Sequence, residues 1–96
     1  MIINYQFLND HDFDRDRYYY VMKNLIASAK ELKEEITIAE RYSVENNGFI
    51  VSVKVGGKTQ GTFAFRRFKG ALEEMGGKLS PITLINEEEL TWWKDK

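Results

Sequence analysis

The residues with the clearest chemical tendency are basic, and most of them lie in the second half of the chain. Between Glu45 and Glu73 the sequence has no acidic residue, although the formal net charge of the 96 residues is only -1. Such a segregation of charge creates a local positive field that attracts anionic partners. We therefore expect a nucleic acid or another polyanion to bind at Arg41, Lys54, Lys58, Arg66, Arg67 and Lys69.

Catalytic and metal-binding chemistry has little support in the sequence. His11 is the only histidine and cysteine is absent, so a two-histidine metal site, a cysteine nucleophile and a serine–histidine triad with a spare base are all excluded. The alternating aspartates of residues 12–16 are spaced as in a calcium-binding EF-hand loop. Arg17 and Lys23, however, occupy the positions of the required glycine and glutamate. We expect that the protein is not an enzyme and that it binds neither a metal nor a cofactor.

Large aromatic side chains form a second candidate surface. Consecutive residues on a helix point about 100° apart, so a helix cannot bury all of Tyr18-Tyr19-Tyr20 or both Trp92 and Trp93. Exposed tyrosine and tryptophan are frequent anchors at protein interfaces. The alternative to polyanion binding is therefore a protein-binding module, an adaptor, an inhibitor or a homodimer, that uses Tyr19, Trp92 and Trp93. The alternative is that one tryptophan closes an end of the core.

Composition is typical of one folded domain over residues 1–96. Hydrophobic residues make up 43% of the chain, and its thirteen aromatic residues argue against disorder. No disulfide can form without cysteine, and neither a signal peptide nor an apolar run of about 20 residues is present. These absences predict a cytoplasmic protein with no membrane association.

Hydrophobic periodicity predicts the first two elements. Apolar residues alternate with polar ones over residues 3–7, which indicates a strand. From Tyr18 to Ile36 apolar residues recur at steps of three and four, which indicates a helix over about residues 13 to 34. Aspartates just before this stripe are suited to cap the start of the helix.

Turn signals predict a three-stranded meander in the middle of the chain. Asn47-Gly48 is typical of a two-residue type I′ hairpin, and Gly56-Gly57-Lys58 favours a second hairpin. The resulting pairs are Val44 with Val51, Tyr42 with Val53, Arg41 with Lys54, Ser43 with Ser52, Val55 with Thr59, Val51 with Phe63 and Phe49 with Phe65. This register sends Phe63 and Phe65 towards the core and leaves the cations and hydroxyls on a solvated sheet face.

The rest of the chain completes an α+β fold. Phe65, Phe68, Leu72 and Met75 step at helical spacing, and the helix should stop at Gly76-Gly77. A last strand is expected in residues 82–85 after Pro81, followed by a short C-terminal helix capped by Asn86 and carrying the two tryptophans. The predicted order is β-α-β-β-β-α-β plus that helix. The long N-terminal helix should pack on one face of an antiparallel sheet.

One segment resembles a known motif. Residues 61–68 are similar to the RNP1 motif of RNA-recognition-motif domains, a pattern of basic, glycine, aromatic, glycine or alanine, aromatic, aliphatic, any and aromatic residues. Phe63, Ala64, Phe65 and Phe68 match, whereas Gly61, Thr62 and Arg66 depart from it. The resemblance implies that the rings stack on bases from the open face of a sheet. The pairing register instead places the rings of Phe63 and Phe65 in the core, and we expect them there.

Overall fold

The computed structural model describes residues 1–8, 13–43 and 48–85 and shows an α+β fold with a four-stranded antiparallel sheet. Its elements are β1 (Ile2–Leu8), α1 (Arg15–Glu31), β2 (Ile36–Ser43), β3 (Gly48–Val55), α2 (Gly57–Gln60), α3 (Phe63–Glu74) and β4 (Lys78–Leu79). This confirms the predicted fold class. None of the described helices combines the length and the apolar content needed to cross a membrane.

The first strand lies in the interior of the sheet. The strand order is β2-β3-β1-β4, and every neighbouring pair is antiparallel. β1 and β2 are therefore parallel to each other, and β3 lies between them. This is the split β-α-β arrangement. The two inner strands present their apolar side chains on the same face of the sheet. The register pairs Ile3 with Val53, Tyr5 with Val51, and Phe7 with Phe49.

The helices cover the apolar face of this sheet. The core combines Ile3, Tyr5, Phe7, Val51, Val53 and Val55 from the sheet with Tyr18, Val21, Met22, Leu25, Phe65, Phe68, Ala71, Leu72 and Met75 from the helices and the end of α3. Full burial of a large apolar side chain contributes about 1.5–3 kcal/mol. α1 and α3 therefore depend mainly on this shared core for their stability.

Capping residues set the ends of the two long helices. Asp14 accepts a hydrogen bond from the Arg17 N–H at 3.1 Å, so α1 begins next to the predicted aspartates. Thr62 accepts one from the Phe65 N–H at 3.2 Å and starts α3. After α3, Gly76 has a φ of 95°, which only glycine adopts without strain. The predicted helix end at Gly76-Gly77 is confirmed.

The predicted second hairpin is wrong. Residues after Val55 form α2 and α3 instead of a strand, and β1 occupies the place beside β3 that this strand would have filled. Phe65 is buried in the core as expected, with 4% exposure, but it reaches the core from a helix. Phe63 begins the same helix and is 65% exposed, so its predicted core position is wrong.

A carboxylate from the α1–β2 connection holds the start of α2. Glu34 accepts hydrogen bonds from the Lys58 N–H at 3.1 Å, the Thr59 N–H at 2.7 Å and the Thr59 hydroxyl at 2.6 Å. A Cβ atom at Gly56 would lie 2.6 Å from the Glu34 carboxyl carbon. Gly56 therefore gives the carboxylate room to approach the unpaired N–H groups of this helical turn.

The predicted β2–β3 register is wrong by four residues. Glu40, rather than Val44, stands opposite Val51, and Arg41 stands opposite Ile50 instead of Lys54. Gly48 is paired with Ser43 within the sheet, so it is not a turn residue; residues 44–47, with Val44 and Asn47, lie outside the described residues. Because four is an even number, each side chain keeps its predicted face while its partner changes.

The second face of the sheet, opposite the helices, is partly covered by residues 80–85. The Ser80 N–H donates to the Asn4 carbonyl at 3.0 Å, and the Leu84 N–H donates to the Ser52 hydroxyl at 2.9 Å. Ser52 and Ile85 are buried, so the predicted solvated position of Ser52 is wrong. The last described strand ends at Leu79, and residues 82–85 form no strand, so the strand predicted there is also wrong. The C-terminal helix, Trp92 and Trp93 lie outside the described residues.

The Glu34 cap makes stability depend on pH. The hydrogen bond from the Thr59 hydroxyl, with support from the backbone N–H groups, holds the pKa of Glu34 below its ordinary value of 4.5. A lowered folded-state pKa stabilises the fold above the unfolded pKa, and this contribution is lost as the pH falls through the folded value. We expect Glu34→Gln to lower the urea midpoint at neutral pH, with a deficit that shrinks below about pH 4.5.

The matched control is Glu35→Gln, which makes the same chemical change at the next, exposed residue. Its urea midpoint should follow that of the unmodified protein at every pH. An equal effect of the two substitutions, or a Glu34→Gln deficit that does not depend on pH, would contradict the capping role.

Candidate functional site

The three helices carry more basic than acidic side chains. The basic residues in the three helices are Arg15, Arg17, Lys23, Lys30, Lys58, Arg66, Arg67 and Lys69, and the acidic ones are Asp16, Glu31, Glu73 and Glu74. All of these basic side chains except that of Lys69 are exposed. Asp14, Glu34 and Glu40 also accept hydrogen bonds from the helices. The remaining excess of basic residues favours an anion at the helices.

Four side chains form a basic and aromatic surface where α1 and α3 meet, which we call the α1–α3 patch: Tyr20, Phe63, Arg66 and Arg67. The Arg67 Cζ atom lies 5.8 Å from the centroid of the Tyr20 ring and 5.9 Å from that of Phe63. The Arg66 Cζ atom lies 5.7 Å from the Phe63 centroid. Tyr20 is 56% exposed and Phe63 65% exposed. The patch thus presents two rings and two guanidinium groups to solvent.

Helix geometry explains why these residues meet. Thr62 caps α3, so Phe63 is its first residue, and Arg66 and Arg67 follow three and four positions later on the same side of the helix. α1 runs antiparallel to α3, and an ion pair between Arg17 and Glu74 joins the start of α1 to the end of α3. This pairing of the helices places Tyr20 beside Arg67.

A groove of about 390 Å³ lies beside the patch, between the end of α1 and the start of α3. It is lined by Val21, Asn24, Ala27, Ser28, Glu31, Thr62, Phe63, Ala64 and Arg67. Alanine and serine at the helix seam leave this space because their side chains are too small to fill it. We call it the α1–α3 groove. Across Arg67, a second depression of about 230 Å³ continues along the seam towards Gly70 and Glu74.

The charges around the groove do not follow the helix dipoles. The first turn of α3 has no acidic residue, and its first charged residues are Arg66 and Arg67. Glu31 is the last residue of α1, where the dipole favours a cation. Among the described residues, the only ion pair within 4.0 Å joins Arg17 and Glu74, so Glu31 and Arg67 are not paired across the groove. Lys30, in the last turn of α1, does follow the dipole, so Glu31 and the two arginines are the exceptions.

The six predicted cations do not come together. Arg66 and Arg67 are neighbours in the α1–α3 patch, and Lys58 is exposed on α2. Lys69 is half-buried, with its Nζ atom 5.7 Å from the centroid of the Phe65 ring. Arg41 and Lys54 lie on the other side of the sheet, opposite Ile50 and Thr37, respectively. The structure therefore favours the helices over the sheet as the cationic face.

Of the predicted partner-binding residues, Tyr19 alone lies in the described part of the chain. It is 54% exposed, and its ring centroid is 5.3 Å from that of Tyr18. A small depression of about 80 Å³ beside it is lined by Phe13, Arg15, Tyr18, Tyr19, Tyr42 and Phe49. This aromatic surface is separate from the α1–α3 patch.

Sequence reasoning missed Tyr20 and Phe63 as surface residues of a site. A signal existed for Phe63, because the helical period that begins at Phe65 leaves it off the buried stripe, and Thr62 just before it is a good N-cap. No comparable signal marked Tyr20 over Tyr19. Its role depends on the contact between α1 and α3, which joins residues far apart in the sequence.

Comparison with known proteins adds no family: no family model, curated protein or solved structure matches this chain. The resemblance of residues 61–68 to the RNP1 motif does not hold structurally, because Phe63, Phe65 and Phe68 belong to α3 and not to a central strand. Within the described part of the chain, no group of three or more histidine, aspartate or glutamate side chains is arranged to hold a metal ion. The candidate site therefore depends on geometry and charge alone.

Proposed function

We propose that this protein binds nucleic acid through the α1–α3 patch. The observation that carries the proposal is the pairing of two exposed guanidinium groups, Arg66 and Arg67, with two exposed aromatic rings on the cationic side of the molecule. Arginine is well suited to contact phosphate because its planar fork donates several hydrogen bonds. Exposed rings add a surface on which bases can stack.

The weak internal contacts of the patch suit this role. A cation–π contact at an exposed site stabilises a protein by only about 0.5–1 kcal/mol. The contacts thus keep Arg66 and Arg67 near the rings but are weak enough for a phosphate to replace them. Each phosphate that a guanidinium neutralises releases condensed counterions, so affinity should fall steeply with salt concentration.

The helical face is a better candidate than the sheet face predicted from the sequence. Arg41 and Lys54 face the side of the sheet over which residues 80–85 pass, and Ser52 between them is buried. A phosphate contact at Ser52 would have to displace its hydrogen bond with Leu84. The α1–α3 patch is open without any rearrangement.

Paired substitutions of equal charge distinguish the two faces. We expect the double variant Arg66→Ala with Arg67→Ala to lose most of its affinity for a mixed-sequence oligonucleotide at low salt. The slope of log K against log salt should become less negative by about 2, because two phosphate contacts are removed. Fluorescence anisotropy over a salt series measures both quantities.

The control is the double variant Arg41→Ala with Lys54→Ala, which removes the same charge from the opposite face. It should keep the salt slope and the affinity of the unmodified protein. Binding that depends on Arg41 and Lys54 instead, or no binding to any nucleic acid at low salt, would refute the proposal.

A second candidate function, association with a protein, is favoured by the aromatic surface around Tyr19. Tyr19 and Tyr42 are both more than half exposed at the depression next to Phe49. Tyr42 also belongs to β2, which is an edge strand of the described sheet and can accept a strand from a partner.

One form of this association, homodimerisation, can be measured with the purified protein alone. A dimer mass by light scattering that Tyr19→Ala shifts to the monomer, and that Arg66→Glu leaves unchanged, would support it. A monomer at every accessible concentration would exclude self-association through this surface.

A further inference from the structure

We infer that the α1–α3 groove receives one base of a single-stranded nucleic acid, stacked on Phe63 and followed by a phosphate at Arg67. This inference rests on the proposed function and specifies its ligand. A duplex presents phosphates to Arg66 and Arg67 as well as a single strand does, but its base faces are stacked on one another. Only a single strand can offer a base to an exposed ring and an adjoining groove.

The size and position of the groove suit one base. Its volume of about 390 Å³ lies within the range of about 300–1,000 Å³ that is typical of small-ligand sites. Phe63 forms one of its walls and is 65% exposed, so the ring is accessible for stacking. Val21, Ala27 and Ala64 supply an apolar lining for a planar ring. Arg67 borders the groove and continues into the neighbouring depression, along which a phosphate backbone can extend.

The polar groups of the groove are available for a base edge. Asn24, Ser28 and Glu31 line it, and their side chains form no hydrogen bond or ion pair with the described part of the chain. The Thr62 hydroxyl, in contrast, is engaged, since it donates to the Thr59 carbonyl at 2.7 Å and accepts from the Phe65 N–H. The free groups can therefore serve a ligand without breaking a contact that the fold uses.

Glu31 gives the groove a preference among bases. An ionised carboxylate only accepts hydrogen bonds, and it repels phosphate. The sugar-phosphate backbone is therefore directed towards Arg66 and Arg67, while Glu31 meets the base. Cytosine offers an amino group to a carboxylate at the position where thymine and uracil carry a carbonyl oxygen. The groove should therefore favour cytosine over thymine or uracil.

The test compares oligo(dC), oligo(dT) and a mixed-sequence duplex of equal length by fluorescence anisotropy. We expect oligo(dC) to bind more tightly than oligo(dT), and Glu31→Gln to reduce that preference. Phe63→Ala should weaken oligo(dC) binding by about 5- to 150-fold, which corresponds to about 1–3 kcal/mol of stacking per base, and should leave duplex binding within about twofold.

Two further variants keep the test independent of folding. Phe63→Trp retains a stacking surface and should restore tight binding of oligo(dC), whereas Leu79→Ala removes a similarly exposed apolar side chain from β4 and should have no effect. If Phe63→Ala changes single-strand and duplex affinity alike or leaves oligo(dC) affinity unchanged, or if Phe63→Trp fails to restore oligo(dC) binding, the inference is overturned. In those cases the nucleic-acid function stands as long as the Arg66 and Arg67 variant loses binding. If no polyanion binds the unmodified protein, both proposals fail.

Discussion

The antiparallel pairing of β1 with β3 is the constraint on which the rest of the structure depends. Its register runs over seven residue pairs, from Ile2 with Lys54 to Leu8 with Gly48, and it brings together the buried faces of the two inner strands. With β2 on its other side, β3 has no free edge left. The chain that leaves β3 at Val55 therefore cannot add another strand there and enters the helical layer instead.

That constraint also creates the candidate site. Once residues 63–74 are helical, Phe65, Phe68 and Leu72 cover the sheet, and Phe63 with the two arginines must turn away from it. The seam with α1 is lined by small residues, so the two helices leave a groove at their outer surface. The same helical period thus serves the core on one side and a basic, aromatic surface on the other.

Sequence reasoning predicted what local patterns determine and failed where distant segments compete. The fold class, the start of α1 near the aspartates and the end of α3 at Gly76-Gly77 follow from periodicity and capping. The turn signals at Asn47-Gly48 and Gly56-Gly57 suggested a meander, but the partner of β3 comes from the first eight residues of the chain. Nothing local to residues 48–65 reveals that competition.

The site was predictable to a similar degree. Arg66 and Arg67 stood out by charge segregation, whereas Arg41 and Lys54 were grouped with them through a second hairpin that the structure does not have. Tyr20 joins the site only because α1 packs antiparallel to α3. Glu31 carried no signal either, since its importance arises from facing the same groove as Arg67.

The most direct test is a nuclear magnetic resonance titration of isotope-labelled protein with a single-stranded oligonucleotide at low salt, with the backbone amides assigned. The account predicts shift changes concentrated at residues 20–31 of α1 and residues 62–67 at the start of α3, with little change in β2 and β3. Changes concentrated around Arg41, Ser52 and Lys54, with α1 and α3 unaffected, would contradict it.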